Sequence, residues 1–448
     1  MDGVTLRQIR EWTNAEVLGN LDGAALPAGV STDSRTTSPG ELFLALRGAR
    51  ADGHDFVAQA LGRGACAALV EREVPGAGLQ LKVPSVMEAL GSLAKQYRRR
   101  FSLPVVAVVG SAGKTTTKEM IAAVLRRRYR VLQTPGNENN ELGVPRALLQ
   151  LTREHEAAVV ELAARQEGDI RYLCEVAQPT VGVLLNIGTA HLEIFGSVER
   201  VAKAKGELLG YLDESSLALV NADDCVIAQE VKRTKGRLLG FSLVRESHYC
   251  GEGLALDQEG CGLLSLHNFP LRLQIPGRHN VYNALAAAAV GHQLGVPWPQ
   301  IGQALAEFRP VAMRSQILRK RGISVINDSY NANPGSMQAA LEMLGGMAAG
   351  RRIAVLGDML ELGADAPRFH AAAGRQAAAQ HLDMVLGIGP LSAHLVEAAR
   401  RAGGRARHFS SKQELAAHLR ASLRENDLVL VKASRGMALE EIATGIAG

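Results

Sequence analysis

Residues 105–119, VVAVVGSAGKTTTKE, decide the fold: an apolar β-branched run meets a short glycine loop, and a helical pattern containing MIAAVL follows. A glycine loop between a strand and a helix N-terminus aims several N–H groups at one spot, where the helix dipole adds positive field, so a phosphate fits there. The spacing G-x-x-x-x-G-K-[ST] asks for glycine at position 108, but the chain has Val108. The match therefore begins at Gly110 and runs through Ser111, Ala112, Gly113, Lys114 and Thr115, with Thr116 next. Lys114 would neutralise the β/γ-phosphates and the Thr115 hydroxyl would ligate magnesium. A glycine turn with a surface lysine is the alternative, and it leaves the flanking strand and helix unexplained.

Outward from this loop, short β-branched runs alternate with helical patterns, which predicts βαβ units and a parallel sheet. Strands are expected at VVAVV (105–109), AAVV (157–160) and VGVLLNI (181–187). After Pro310 the alternation restarts with ISVIN (323–327), RIAVLG (352–357), MVLGI (384–388) and DLVLV (427–431), separated by helical stretches such as SMQAALEML and QELAAHLRASL. That is a second α/β unit. Residues 236–275 mix glycine with short apolar pieces and predict an antiparallel insert. The first ~80 residues, with STDSRTTSPGELFLALRG and AQALGRGACAALV, predict a small α/β domain of their own. At about 150 residues per domain, three domains are expected, each with its own core. The divisions fall at 1–83, 84–310 and 311–448, giving an α/β protein with a central P-loop ATPase-type sheet and a C-terminal Rossmann-like domain.

Composition narrows the partners. The net charge of +5 is small for 448 residues, and only 4% of them are aromatic. Arg98-Arg99-Arg100 and Arg126-Arg127-Arg128 have no interleaved aromatic residues, so they read as solvated helix ends and no nucleic-acid partner is expected. A mildly basic chain suits anionic small substrates. Cys66, Cys174, Cys225, Cys250 and Cys261 lie far apart with no C-x-x-C pair, so they are expected to be reduced core residues. The N-terminus MDGVTLRQIREW has no basic segment followed by an apolar one, and the longest apolar run, ALAAAAV at 284–290, is far below the ~18 residues of a membrane span. A cytoplasmic protein is expected.

Polar residues at other strand ends extend the site. VVEL places Glu161 after an apolar run, and VLLNIGTAH places Asn186, Thr189 and His191 beyond another. The carboxyl ends of parallel strands share one edge, so Glu161 and His191 would converge with the phosphate loop, and a carboxylate suits magnesium. In SVERVAKAKGELLGYL, apolar residues at 198, 201, 202, 208, 209 and 212 form one helical face with Lys205 in its middle, whereas Lys203 points away. A lysine in that stripe must snorkel, pair with a carboxylate or lose its charge. If neutral, its amine can take up carbon dioxide as a carbamate, an anionic oxygen ligand for a second magnesium. TPGNENNELGVP (134–145) supplies Asn137 and two more asparagines, GRHNVYNALAAAA supplies Asn280 and Asn283, and NDSYNANPGSM (327–337) supplies Asp328, Asn331 and Asn333. Each cluster is compatible with turn and cap formation or with lining a nucleotide.

Taken together these segments resemble the Mur ligase family, and the resemblance spans nearly the whole chain. It rests on STDSR and LFLALRG, then GSAGKTTTKEM, TPGNENNELGVP, VVEL, NIGTAHLEIFGS and AKAKGEL, then GRHNVYNALAAAA, NDSYNANPGSM, AVLGDMLELG and LVKASRGMALEEI. It implies the three-domain Mur ligase architecture and an ATP-dependent amide ligase. Lys114 and Thr115 would bind ATP phosphate and a first magnesium, with Glu161 as a further ligand, while His191 and a carbamylated Lys205 would hold a second. Asn283 would approach the adenine, Asp328 the ribose and Arg314 the γ-phosphate. Asn331 and Asn333 would face substrate, and Ser34 and Arg35 would sit near the UDP of a muramyl peptide. GDMLELG and NDSYNANPGSM favour UDP-N-acetylmuramoyl-tripeptide and D-alanyl-D-alanine as substrates of a monomeric enzyme. The departures are Ala163, Arg165 and Gln166 where the family pattern ELGANHQGEI has glycine, asparagine and histidine, and Val109 in place of a threonine. Two other classes compete: a nucleotide-driven switch, which gives no role to Lys205, and a non-catalytic binding module, against which the intact Lys114, Thr115, Glu161, His191 and Lys205 argue.

Overall fold

The computed structural model describes residues 1–48, 51–189 and 192–447. The phosphate-loop strand Val105–Val109 is the expected one and sits inside a seven-stranded sheet, paired in parallel with Ala157–Glu161 on one side and Val181–Leu184 on the other. Val131–Gln133 closes one edge; Leu217–Asn221, Arg237–Ser242 and Tyr249–Cys250 extend the other, all in parallel. Every residue of Val105–Val109 and Ala157–Glu161 is buried, because a parallel sheet is covered on both faces and its strands read as continuous apolar runs. Val106 and Val108 face one core and Val105, Ala107 and Val109 the other, as the two-residue period requires.

The helix Arg278–Gln293 lies on the first of these faces beside the phosphate-loop helix Lys114–Leu125. Its small residues permit a close approach: a Cβ on Gly291 would stand 2.3 Å from Val124 Cγ1. The stretch 236–275 is only partly the expected insert. Glu252–Leu256, Cys261–Leu266 and Phe269–Pro276 do form an antiparallel sheet, but Arg237–Ser242 and Tyr249–Cys250 belong to the central parallel sheet. Glycine in Arg237–Ser242 masked a buried strand, since Gly240 is where Ser247 and Ala222 come close.

The third sheet has the order Gln316–Lys320, Ile323–Asn327, Asp427–Lys432, Arg351–Gly357, Met384–Ile388, Ala406–Phe409, with only the first pair antiparallel. It carries a separate core on each face. The first sheet, Glu16–Leu18, Gln80–Lys82, Ala67–Val70, Leu42–Leu44, Val30–Ser31, is different. Leu42, Leu44, Leu69 and Leu81 of its inner face join one apolar cluster with Val105, Ala107 and Val109. The helix Val86–Arg98 is the shared wall, so the first and central sheets have one continuous core where a separate core for each was expected. The cysteines are all free, but Cys225 is exposed and is not a core residue. Among the described residues no helix is long and apolar enough to cross a membrane.

Tyr97, fully buried on Val86–Arg98, fastens this wall near its carboxyl end. Its hydroxyl donates to the Leu151 carbonyl and accepts from the Asp2 N–H at 2.7 Å. Tyr97→Phe keeps the packing and strands the buried Leu151 carbonyl, so it is expected to cost about 1–3 kcal/mol in a urea titration followed by circular dichroism. An unchanged midpoint would show that this bond does not hold the wall.

Candidate active site

The loop Gly110–Gly113 leaves the end of Val105–Val109 and enters the helix at Lys114. Gly113 has φ +80, and a Cβ there would meet Asn283 Oδ1 at 2.6 Å, so the position requires glycine on both counts. Asn186 shapes the loop from the neighbouring strand end: its Oδ1 accepts from the Ser111 and Ala112 N–H groups at 3.0 and 2.9 Å, and its Nδ2 donates to the Ala112 carbonyl. Ser111 and Ala112 thus direct their amides to Asn186. No side chain caps the helix, which leaves its first-turn N–H groups at Lys114, Thr115 and Thr116 for an anion. Lys114 Nζ folds back onto the Gly110 carbonyl at 2.9 Å. Burial lowers its pKa, Glu161 opposes that shift and Arg314 adds to it.

Glu161, 2% exposed, is gripped on both oxygens. Thr115 Oγ1 donates to Oε2 at 2.6 Å, Asn139 Nδ2 donates to Oε1 at 2.7 Å, and the Glu161 N–H donates to Thr134 Oγ1 at 3.1 Å. A hydroxyl and a carboxylate at the foot of a phosphate loop are hard oxygen donors of the kind magnesium takes, with remaining ligands drawn from phosphates and water. Among the described residues no three His, Cys, Asp or Glu side chains converge elsewhere as a metal site. The expected ligand His191 lies outside the described residues.

Lys205 lies in the helix Val198–Tyr211 with 2% exposure, while Lys203 on the far side pairs with Glu167 at 2.7 Å. Lys205 has no ion pair or hydrogen bond among the described residues, so neither snorkelling nor pairing relieves it. Burial, helped by the charge of Lys114, lowers its pKa to about 7.

The third sheet supplies the opposite wall. A cavity of ≈ 620 Å³ is lined by the phosphate loop, Glu161, Asn137, Asn280 and Asn283 on one side and by Arg314, Asp328, Asn331 and Asn333 on the other. Arg314 sits between Met313 and Ser315, both at positive φ, with its guanidinium 3.9 Å from the centre of the Tyr330 ring. Asp328 bridges Lys432 Nζ at 2.6 Å and the Ser315 N–H at 2.9 Å. Asn333 caps Pro334–Gly346 in a reciprocal box with Ser336 while lining the cavity, so the capping and site roles coincide. Asn280 bonds the Pro276 carbonyl and accepts from Asn283, which fixes Asn283 beside Gly113.

Ser34 and Arg35 do not line this cavity. Ser34 is buried against Gln59 at 2.7 Å, and Arg35 is 81% exposed and held on Asp33. A larger opening of ≈ 920 Å³ lies around Arg98, Gln178 and Ser216, at the amino ends of the strands and away from these groups. The residues that sequence reasoning did not single out are Lys118, Asn139, Tyr330 and Lys432. Each lies inside a quoted motif, but nothing in its type or spacing marks it.

Comparison with known proteins gives three family matches: the Mur ligase family catalytic domain at residues 28–98, the Mur ligase middle domain at 108–291 and the Mur ligase glutamate ligase domain at 313–435. The UDP-N-acetylmuramoyl-tripeptide–D-alanyl-D-alanine ligase of Escherichia coli is 38% identical across 100% of this chain and 99% of its own. That of Bacillus subtilis is 36% identical across 98% and 97%. A crystal structure of MurF from Acinetobacter baumannii superposes with TM-score 0.91 at 33% identity, covering 99% of this chain and 98% of that one. MurF ligase from Thermotoga maritima in complex with ADP gives 0.84 at 31%, covering 94% and 97%. With this coverage, and with the phosphate loop, Glu161 and the third-sheet cations around one cavity, the chain belongs to the Mur ligase family.

Proposed function

We propose that this protein is an ATP-dependent ligase that joins D-alanyl-D-alanine to UDP-N-acetylmuramoyl-tripeptide, making the pentapeptide precursor of peptidoglycan. The observation that carries this reading is the single cavity shared by the phosphate loop and by Arg314, Asp328 and Lys432 of the third sheet. Full-length relatives bearing that name support the choice of substrates.

The terminal carboxylate of the tripeptide attacks the γ-phosphorus of ATP; the bond to ADP breaks and an acyl phosphate forms. The amine of the dipeptide then attacks the acyl carbon, phosphate leaves, and the nitrogen loses a proton. Lys114 and the first-turn amides bind the phosphates, and Arg314, oriented by Tyr330, meets the γ-phosphate from the other wall. Asn283 and Asp328 take the adenine and the ribose. Thr115 and Glu161 would hold one magnesium, and His191 with a carbamylated Lys205 a second; bound there, the ions offset the repulsion between carboxylate and triphosphate. An unpaired interior amine with a pKa of about 7 supports the carbamate, because only the neutral amine adds carbon dioxide. Closure of the third sheet over the cavity would keep water from the acyl phosphate. The UDP end of the acceptor is assigned to the first sheet, beside Ser34 and the exposed Arg35, within a substrate domain ending near residue 83.

Phosphate release from ATP tests the function directly. It is expected to require both the UDP-muramyl tripeptide and D-alanyl-D-alanine, and to be lost in Lys205→Ala. Rapid release with neither substrate present would replace this reading with the switch.

Lys205 gives a second test through stability. Its amine titrates near 10.5 when unfolded and at about 7 when folded, so between these values the unfolded chain holds a proton that the folded chain has released. Stability therefore rises with pH across that window, and at pH 7 the buried amine costs ~4 kcal/mol. In bicarbonate-free buffer, Lys205→Met is expected to melt above the wild type at pH 7, and the gap should close as pH approaches 10.5. A gap independent of pH would contradict the buried amine.

A further inference from the structure

Lys118 is fully buried on the phosphate-loop helix, and its ammonium makes two hydrogen bonds and one ion pair. Nζ donates to the Thr134 carbonyl at 2.6 Å and the Gly136 carbonyl at 2.7 Å, and pairs with Glu119 at 3.0 Å. Glu119 in turn accepts from Gln133 Nε2 at 2.9 Å. Residues 133, 134 and 136 are thus tied to the helix just where the chain turns into the asparagine loop that lines the cavity.

That loop grips Glu161. Thr134 Oγ1 accepts from the Glu161 N–H, and Asn139 donates to the carboxylate oxygen that Thr115 does not occupy. Burying an ammonium costs several kcal/mol even when paired, and an apolar side chain would fill the same space without that cost. What the charge adds is a fixed position for two loop carbonyls, those of Thr134 and Gly136.

We propose that Lys118 is a positioning residue for ligation: by anchoring the base of the loop 134–141, it holds Thr134 and Asn139 on Glu161 and thereby orients the carboxylate that receives the metal. This rests on the metal role given to Glu161 above. The alternative is a buried cation that serves stability alone.

The test is Mn²⁺ binding to the full-length protein with ADP, followed by electron paramagnetic resonance, a readout that does not depend on amide formation. Residues that orient metal ligands typically affect affinity by 10–100-fold, so Lys118→Met and Asn139→Ala are each expected to weaken Mn²⁺ by about tenfold. Because both act through one contact, the double variant should be little weaker than either single one. Lys118→Arg, which keeps a cation and its donors, should recover part of the loss. Unchanged Mn²⁺ affinity in folded Lys118→Met, or losses that multiply to about a hundredfold in the double variant, would overturn the proposal. If Lys118→Met does not fold, Thr134→Val decides with Lys118 in place: weakened Mn²⁺ supports the path to Glu161, and wild-type affinity overturns it. A wild type that binds Mn²⁺ with ADP but forms no amide would count against the ligase reading alone.

Discussion

The site is organised by a concentration of positive charge in a buried place. Lys114 and Arg314 act on the same region, and the charge of Lys114 also presses the buried Lys205 amine toward its neutral form. Glu161 is the carboxylate that opposes this field at Lys114, while Asp328 is already committed to Lys432 and Ser315. A protein keeps such an arrangement when a polyanion completes it, since unpaired interior charge otherwise weakens the fold. The glycine at 113 and the uncapped helix leave the first-turn N–H groups open to that region, while Asn186 fixes the shape of the loop.

The sharing of charge also explains why the work is divided between two sheets. The central sheet brings the phosphate loop and Glu161 to one edge because parallel strands end together. The third sheet brings Arg314 and Asp328 from the ends of its own strands, so the cavity is complete only where both edges face each other. A ligase that makes a water-sensitive acyl phosphate gains from a site assembled this way, because the assembled site is also the closed one.

Much of this was legible in the sequence. Val105–Val109, Ile323–Asn327 and Met384–Ile388 were readable because parallel strands covered on both faces are mostly apolar and β-branched along their length. Lys205 stood out because a charge in an apolar stripe breaks a period, and it is indeed buried, with no partner among the described residues. The asparagines could be found but not assigned, since the same side chain that lines a cavity also caps a helix, as Asn333 does. Lys118 escaped because its partners are backbone carbonyls of a loop, which no residue type announces. Arg237–Ser242 was misjudged because glycine marks both a turn and a close approach inside a sheet. The shared core was hidden for another reason: the Val86–Arg98 helix serves two sheets, and periodicity shows that a face is apolar without showing what covers it.

The continuous core beneath the first two sheets has a mechanical consequence. The first and central sheets are joined through that core, whereas the third sheet keeps its own cores on both faces. The covalent link to the third sheet is the short span between the helix Trp298–Glu307 and the strand Gln316–Lys320. Arg314 stands within it, flanked by two left-handed backbones that store torsional strain. The link to the third sheet and the arginine that lines the cavity from it are therefore the same few residues.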